Sequence, residues 1–164
     1  MKLNLKIVTL SSTILIYSCG GGETENPIID EDSNELAGIW TTNCVIDGPE
    51  SYKSTVTLSD DTYSIEAAEY NDNVCSIVND SFTESGTFSI GESIITSSGL
   101  TANKWDVTQL IEDGVEEVST TYDIIRVDDG KLYQGKKMVD TEFDGKTAEK
   151  RPIELDLDFV FYKI

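Results

Sequence analysis

The chain has 164 residues, with 31 acids against 12 lysines and arginines and a formal net charge of −19. So acidic a surface repels nucleic-acid phosphates over most of its area, and no nucleic-acid partner is expected. Histidine is absent, which excludes Ser-His-Asp and Cys-His catalysis and removes the commonest metal ligand.

The chain begins with Met1, cations at Lys2 and Lys6, and a mostly apolar run over residues 7–16, diluted by Thr9, Ser11, Ser12 and Thr13. That run is too short for a lasting membrane span and reads as a targeting segment. Its end, Ile16-Tyr17-Ser18-Cys19, has an aliphatic residue three before the cysteine and a small one just before it. It resembles a bacterial lipoprotein processing site; an ordinary cleaved secretion signal is the alternative. The resemblance implies a signal peptide over residues 1–18, acyl chains such as palmitate on Cys19, and attachment to a membrane. Two or more acyl chains anchor durably without a transmembrane helix. Gly20, where an Asp would retain the protein at the inner membrane, implies sorting to the outer membrane.

Residues 19–35 continue as Gly20-Gly21-Gly22 and then acids and turn formers around Ile28-Ile29. This composition predicts a flexible tether, which as a coil holds the domain roughly 20–25 Å from the lipid. The folded unit is then residues 36–164, long enough for one domain with a true core. If Cys19 carries lipid, Cys44 and Cys75 are the remaining thiols. Outside the cytoplasm they are expected to form a disulfide.

From Leu36 onward β-branched and aromatic residues alternate with polar ones between turn signals. A first strand is expected over residues 38–46, closed by Asp47-Gly48-Pro49. Strands over 52–58 and 62–68 flank Ser59-Asp60-Asp61. A short piece follows around Cys75 at 74–78, and strands over 83–90 and 93–96 flank Gly91-Glu92. Strands over 104–111, 115–127 and 131–138 are joined through Glu112-Asp113-Gly114 and Asp128-Asp129-Gly130, strong hairpin signals. Residues 139–150 read as a polar loop, and Pro152 opens a last strand over 153–164. No fixed-period repeat is evident. Short connections between about eight strands predict an all-β, up-and-down antiparallel barrel, because closure removes both exposed edges.

The opening strand carries Gly38-Ile39-Trp40. A Gly-x-Trp there, followed by a meander of this length, resembles the calycin superfamily of lipocalins, avidins and fatty-acid-binding proteins. The resemblance implies that Gly38 and Trp40 plug one end of the barrel and that a basic residue from late in the chain covers the ring. Lys163 is the cation placed for that role, where the family usually has arginine; Arg126 and Arg151 lie earlier. Trp105, Phe88, Tyr122, Tyr133 and Phe161 are further candidates for wall or plug, and Trp40 also suits the core of any β domain. Residues 36–40 beside a disulfide are similar, too, to small periplasmic barrel inhibitors of secreted metalloproteases. Those use a free amino-terminal trunk, which acylation of Cys19 would remove.

In the last strand Leu155, Leu157, Phe159 and Phe161 alternate with Glu154, Asp156 and Asp158, predicting one packed and one wet face. Residues 140–145 place oxygen ligands and a glycine as in the first half of a calcium loop, but Arg151 stands where the bidentate acid is needed, so no EF-hand is expected; the stretch reads as an acidic turn with no metal, a weak surface calcium site being the alternative. Lys131, Lys136, Lys137, Lys146, Lys150 and Arg151 cluster in sequence. They form either a patch for an anionic ligand or acidic partner, or a set of surface ion pairs and edge-protecting lysines. No phosphate-binding glycine loop appears, and acids are too abundant for any pair to single out glycoside cleavage. The expectation is a non-enzymatic, cofactor-free barrel binding a small apolar or amphipathic ligand or an envelope component. The rival is a protein-interaction module of the cell envelope.

Overall fold

The computed structural model describes residues 35–138 and 142–164. Cys19, the signal segment, the tether short of Glu35, and Asp140-Thr141 of the acidic loop lie outside the described residues. The strands are β1 (Gly38–Thr42), β2 (Val45–Asp47), β3 (Glu50–Ser59), β4 (Thr62–Tyr70), β5 (Val78–Ile95), β6 (Thr101–Glu112), β7 (Val115–Asp128), β8 (Lys131–Gly135) and β9 (Leu155–Lys163). They form one antiparallel sheet in the order β1-β9-β8-β7-β6-β5-β4-β3-β2, and β1 pairs with β3 as well. That second pairing closes a barrel of 8 strands, as the strand spacing predicts, and leaves β2 as an extra strand beside the start of β3.

Local chemistry explains most connections. Asp113-Gly114 and Asp129-Gly130 have φ of 48° and 79°, and 49° and 70°, the left-handed pair that a two-residue hairpin turn matching strand twist requires. Alternate side chains enter the lumen. Trp40, Val56, Leu58, Tyr63, Phe88, Trp105, Ile125, Leu132 and Phe161 meet there with Leu36, flanked by Ile65, Val107, Val127 and Phe159. Ile124 faces the other way and packs with Ala102 and Leu155, against Ile94, Leu100 and Tyr133. This outer cluster lies where the turn after β5 meets the approach to β9, with the Ser97 N–H donating to the Ile153 carbonyl at 3.0 Å.

Five expected elements differ, one of them β8, expected over 131–138 and ending at Gly135. The first strand breaks at Asn43-Cys44, where the register against β3 slips by one residue between Thr41↔Thr55 and Val45↔Tyr52. There the Thr42 hydroxyl accepts the Ser54 N–H at 2.9 Å, supplying an acceptor where strand pairing lapses. The piece around Cys75 is a loop rather than a strand: Asp72 accepts the Ser76 N–H at 2.9 Å and its hydroxyl as well. Turn chemistry there overrides β-propensity. The strands expected either side of Gly91-Glu92 are one continuous β5, bulged at that point. In β9 the register slips by three between Tyr133↔Val160 and Gly135↔Leu155. Asp156 accepts the N–H groups of Asp158 and Phe159, and Leu157, expected inside, is 56% exposed.

Cys44 and Cys75 are bonded across 31 residues. The bridge ties the break between β1 and β2 to the loop between β4 and β5. In the chain-entropy picture a closed loop of this length stabilises by about 3–4 kcal/mol. Replacing both cysteines by serine should lower unfolding free energy by about that amount in denaturant titration, with the β-sheet spectrum retained. An unchanged midpoint would show that the bridge constrains nothing.

Candidate functional site

The sequence marks Gly38, Trp40 and Lys163, and the barrel brings them together. Trp40 is paired in register with Val56 on one side and Lys163 on the other, and is 0% exposed. Its indole N–H donates to the Leu36 carbonyl at 2.8 Å. The Lys163 ammonium lies 5.1 Å from the ring centroid and donates to the Glu35 carbonyl at 2.9 Å. Gly38 has φ of 138°, and a Cβ there would come within 2.9 Å of Lys163 Cε, so a larger residue would displace the lysine from the ring. Trp40 therefore stoppers the end where β1 starts and β9 finishes. Phe88 and Trp105 share its core cluster and meet edge to face, with centroids 6.2 Å apart. Tyr122 and Tyr133, expected as wall residues, point to the outer face: Tyr122 lies under Arg151, 5.5 Å from ring to guanidinium, and Tyr133 joins the outer cluster.

The six clustered cations do not make one open patch. β8 is short, and the described segments 136–138 and 142–154 lie beside the part of β7 that β8 leaves uncovered, with the Tyr122 N–H donating to the Gly145 carbonyl at 2.8 Å. Two of the cations tie these segments to the barrel and two tie the loop to itself. Lys137 reaches Asp123 at 2.8 Å, and Lys146 and Lys150 lie 3.5 and 3.6 Å from Asp144, whose carboxyl is held below the usual range by the Lys146 N–H and both ammonium groups. Arg151 binds Asp106 at 2.6 Å and the carbonyls of Asp123 and Trp105. Asp123 is 1% exposed and also accepts the N–H groups of Ile124 and Gly135. Gly135 permits this approach: a Cβ there would sit 2.3 Å from the Asp123 oxygen. Lys131 and Lys136 have no ion pair among the described residues.

The opposite end is open. The first six residues of β5, the first six of β7 and the last three of β6 are all exposed. A hollow of about 290 Å³ lies there, lined by Tyr52 and Ser54 of β3, Ala67, Ala68 and Glu69 of β4, and Asp80, Ser81 and Phe82 of β5. All but Ala68 and Ser81 share pleat parity with the core residues Val56, Leu58, Tyr63 and Phe88, so their side chains stand on the lumen face above the packed layer. Phe82 is 45% exposed. Deeper on the same wall the Tyr63 hydroxyl donates to Glu84. Burial, that bond and the neighbouring charge push the Tyr63 phenol well above its ordinary range. A second hollow, about 200 Å³, opens near the stopper between Leu36, Asn103, Ile125 and Val127. Among the described residues no group of acids or cysteines is arranged to hold a metal ion.

Sequence reading passed over the mouth residues. Their signal was the inward position itself: Ser54, Ala67, Glu69 and Asp80 are small or charged where a fully packed strand would carry large apolar side chains. No protein-family model matches the chain, and no curated protein matches its sequence.

The two tryptophans offer a controlled comparison. The Trp40 N–H is hydrogen-bonded, whereas the Trp105 N–H is buried with no partner among the described residues. Trp40→Phe should therefore destabilise more than Trp105→Phe, by about 1 kcal/mol or more, because only the former orphans a carbonyl. Equal losses by calorimetry would remove the stopper bond from the energetics. Tyr63 gives a pH dependence. Its folded pKa is raised, so its contribution is intact below the ordinary phenol value of about 10 and is lost as pH climbs towards the higher folded value. Stability measured from pH 9 upward should fall more steeply in the native protein than in Tyr63→Phe; parallel slopes would contradict this.

Proposed function

We propose that this barrel is a non-enzymatic binding module that takes a small amphipathic molecule at its mouth, held to a bacterial outer membrane by acyl chains on Cys19. The observation that carries the binding reading is the lumen-facing hollow at the open end, where the half-exposed Phe82 stands beside Ala67 and Tyr52. An apolar wall with a few convergent polar groups is the usual composition of a ligand site. The layer below is filled by Tyr63, Phe88, Trp105 and Trp40, so the ligand sits shallowly and is small, at the lower limit of the usual 300–1,000 Å³ range of ligand pockets. The Gly38–Trp40–Lys163 contact supports kinship in design with calycin barrels. The tether reading rests on the residues before and after Cys19.

Native mass spectrometry tests the reading, using the Cys19→Ser chain exported and purified gently without acyl chains. A reproducible small extra mass that disappears on denaturation is expected, together with fatty-acid labelling of the native chain that Cys19→Ser abolishes. A bare mass that persists after incubation with envelope extract would favour the second reading, an interaction module. The observation behind that second reading is the β6–β7 hairpin end, which exposes Leu110, Ile111, Val115 and Val118.

A further inference from the structure

The binding reading above leaves the chemistry of the ligand open, and the mouth itself narrows it. Glu69 and Asp80 are partners in register across β4 and β5 and both line the hollow. Directly opposed side chains in an antiparallel pair lie about 5 Å apart at Cβ, and like charges so placed repel. Asn79 donates to Glu69 at 2.6 Å, and the Ser81 N–H donates to Asp80 at 2.8 Å. These bonds orient the two carboxylates but bring no positive charge. Among the described residues no lysine or arginine forms an ion pair with either of them. Lys53, on the neighbouring strand, pairs in register with Ala68 and so projects from the opposite pleat face. One layer deeper Glu84 continues the acidic column on the same face.

The wall of the hollow is thus an uncompensated acid pair set into apolar and aromatic surface. A fatty acid or other anion would meet two carboxylates on entry. A neutral apolar molecule would use Phe82, Ala67 and Tyr52 but leave the repulsion in place. An organic cation with a short apolar or aromatic body satisfies both: its ammonium sits between Glu69 and Asp80, and its body lies against Phe82 and Tyr52, whose rings also attract a cation. Resting on the mouth-binding reading, we infer that the barrel is selective for small organic amines carrying an apolar group, and against carboxylates of the same shape.

Three isosteric probes separate this inference from the reading it rests on. Phenylpropylamine, phenylpropanol and phenylpropanoate are titrated into the full Cys19→Ser chain, with binding read by calorimetry and its location by amide and methyl NMR shifts. The amine is expected to shift Ala67, Ala68 and Phe82 and to bind about tenfold more tightly than the alcohol, with affinity falling as salt is added, while the carboxylate does not bind. Glu69→Gln combined with Asp80→Asn should reduce amine affinity to that of the alcohol. Because it relieves repulsion, this pair of substitutions should leave the melting temperature unchanged or raise it, so lost binding is not lost fold. If alcohol or carboxylate binds at these residues as tightly as the amine, the cation selectivity is wrong and the mouth site stands. If no probe shifts the mouth residues, or if the amine shifts only scattered surface acids, the mouth site itself is wrong and the inference goes with it.

Discussion

The barrel depends on β1, a strand of five residues that pairs with β3 on one side and β9 on the other. Without the double pairing the meander would be an open sheet with two bare edges, a template for association with other chains. Trp40 sits at the centre of this seam. Its backbone pairs with Val56 and Lys163, its ring closes the lumen, and its N–H ties the incoming chain at Leu36. The stopper and the closure are therefore the same interaction seen from the side chain and from the backbone. Gly38 belongs to it because the lysine stem passes where its side chain would be.

The two ends divide the chemistry. At the stoppered end large apolar side chains fill the lumen, and the basic group present, Lys163, covers an aromatic face. At the mouth the same pleat face carries Ser54, Ala67, Glu69 and Asp80, which cannot fill the lumen, and the strands rise beyond the packed layer. The cations in the second half of the chain are mostly committed elsewhere. Lys137 and Arg151 bind Asp123 and Asp106 of the barrel wall, compensating for the shortness of β8, while Lys146 and Lys150 pair with Asp144 within their own loop, and so all four leave the mouth acids unneutralised. Where the lysine stays in water, as at Lys146 and Lys150, such pairs contribute little each. The buried Asp123 is different, because it also serves two backbone donors.

Much of this was legible in residue order. Asp113-Gly114 and Asp129-Gly130 marked hairpins by a local rule that tertiary structure did not override. The strands expected over 52–58 and 62–68 are present as β3 and β4. What escaped was register. The slips at Asn43-Cys44, Gly91-Glu92 and residues 156–158 arise from fitting strands of unequal length around a closed ring, a global constraint with weak local signature. For that reason Leu157 looked internal and is exposed, whereas Tyr122 and Tyr133, candidates for wall or plug, face outward by plain alternation with Ile125 and Leu132. The mouth escaped for a related reason. Glu69 and Asp80 are ordinary acids in an acidic chain until pairing places them opposite each other on a lumen wall.

The division between a sealed end and an open one is most directly tested by amide hydrogen exchange resolved residue by residue in the folded protein. The amides of Trp40, Thr41, Val56 and Lys163 should exchange only through global unfolding, while residues 78–83 and 110–118 exchange orders of magnitude faster through local opening. Protection at the mouth equal to that at the stopper, or rapid exchange along β1, would contradict a barrel closed and filled around Trp40.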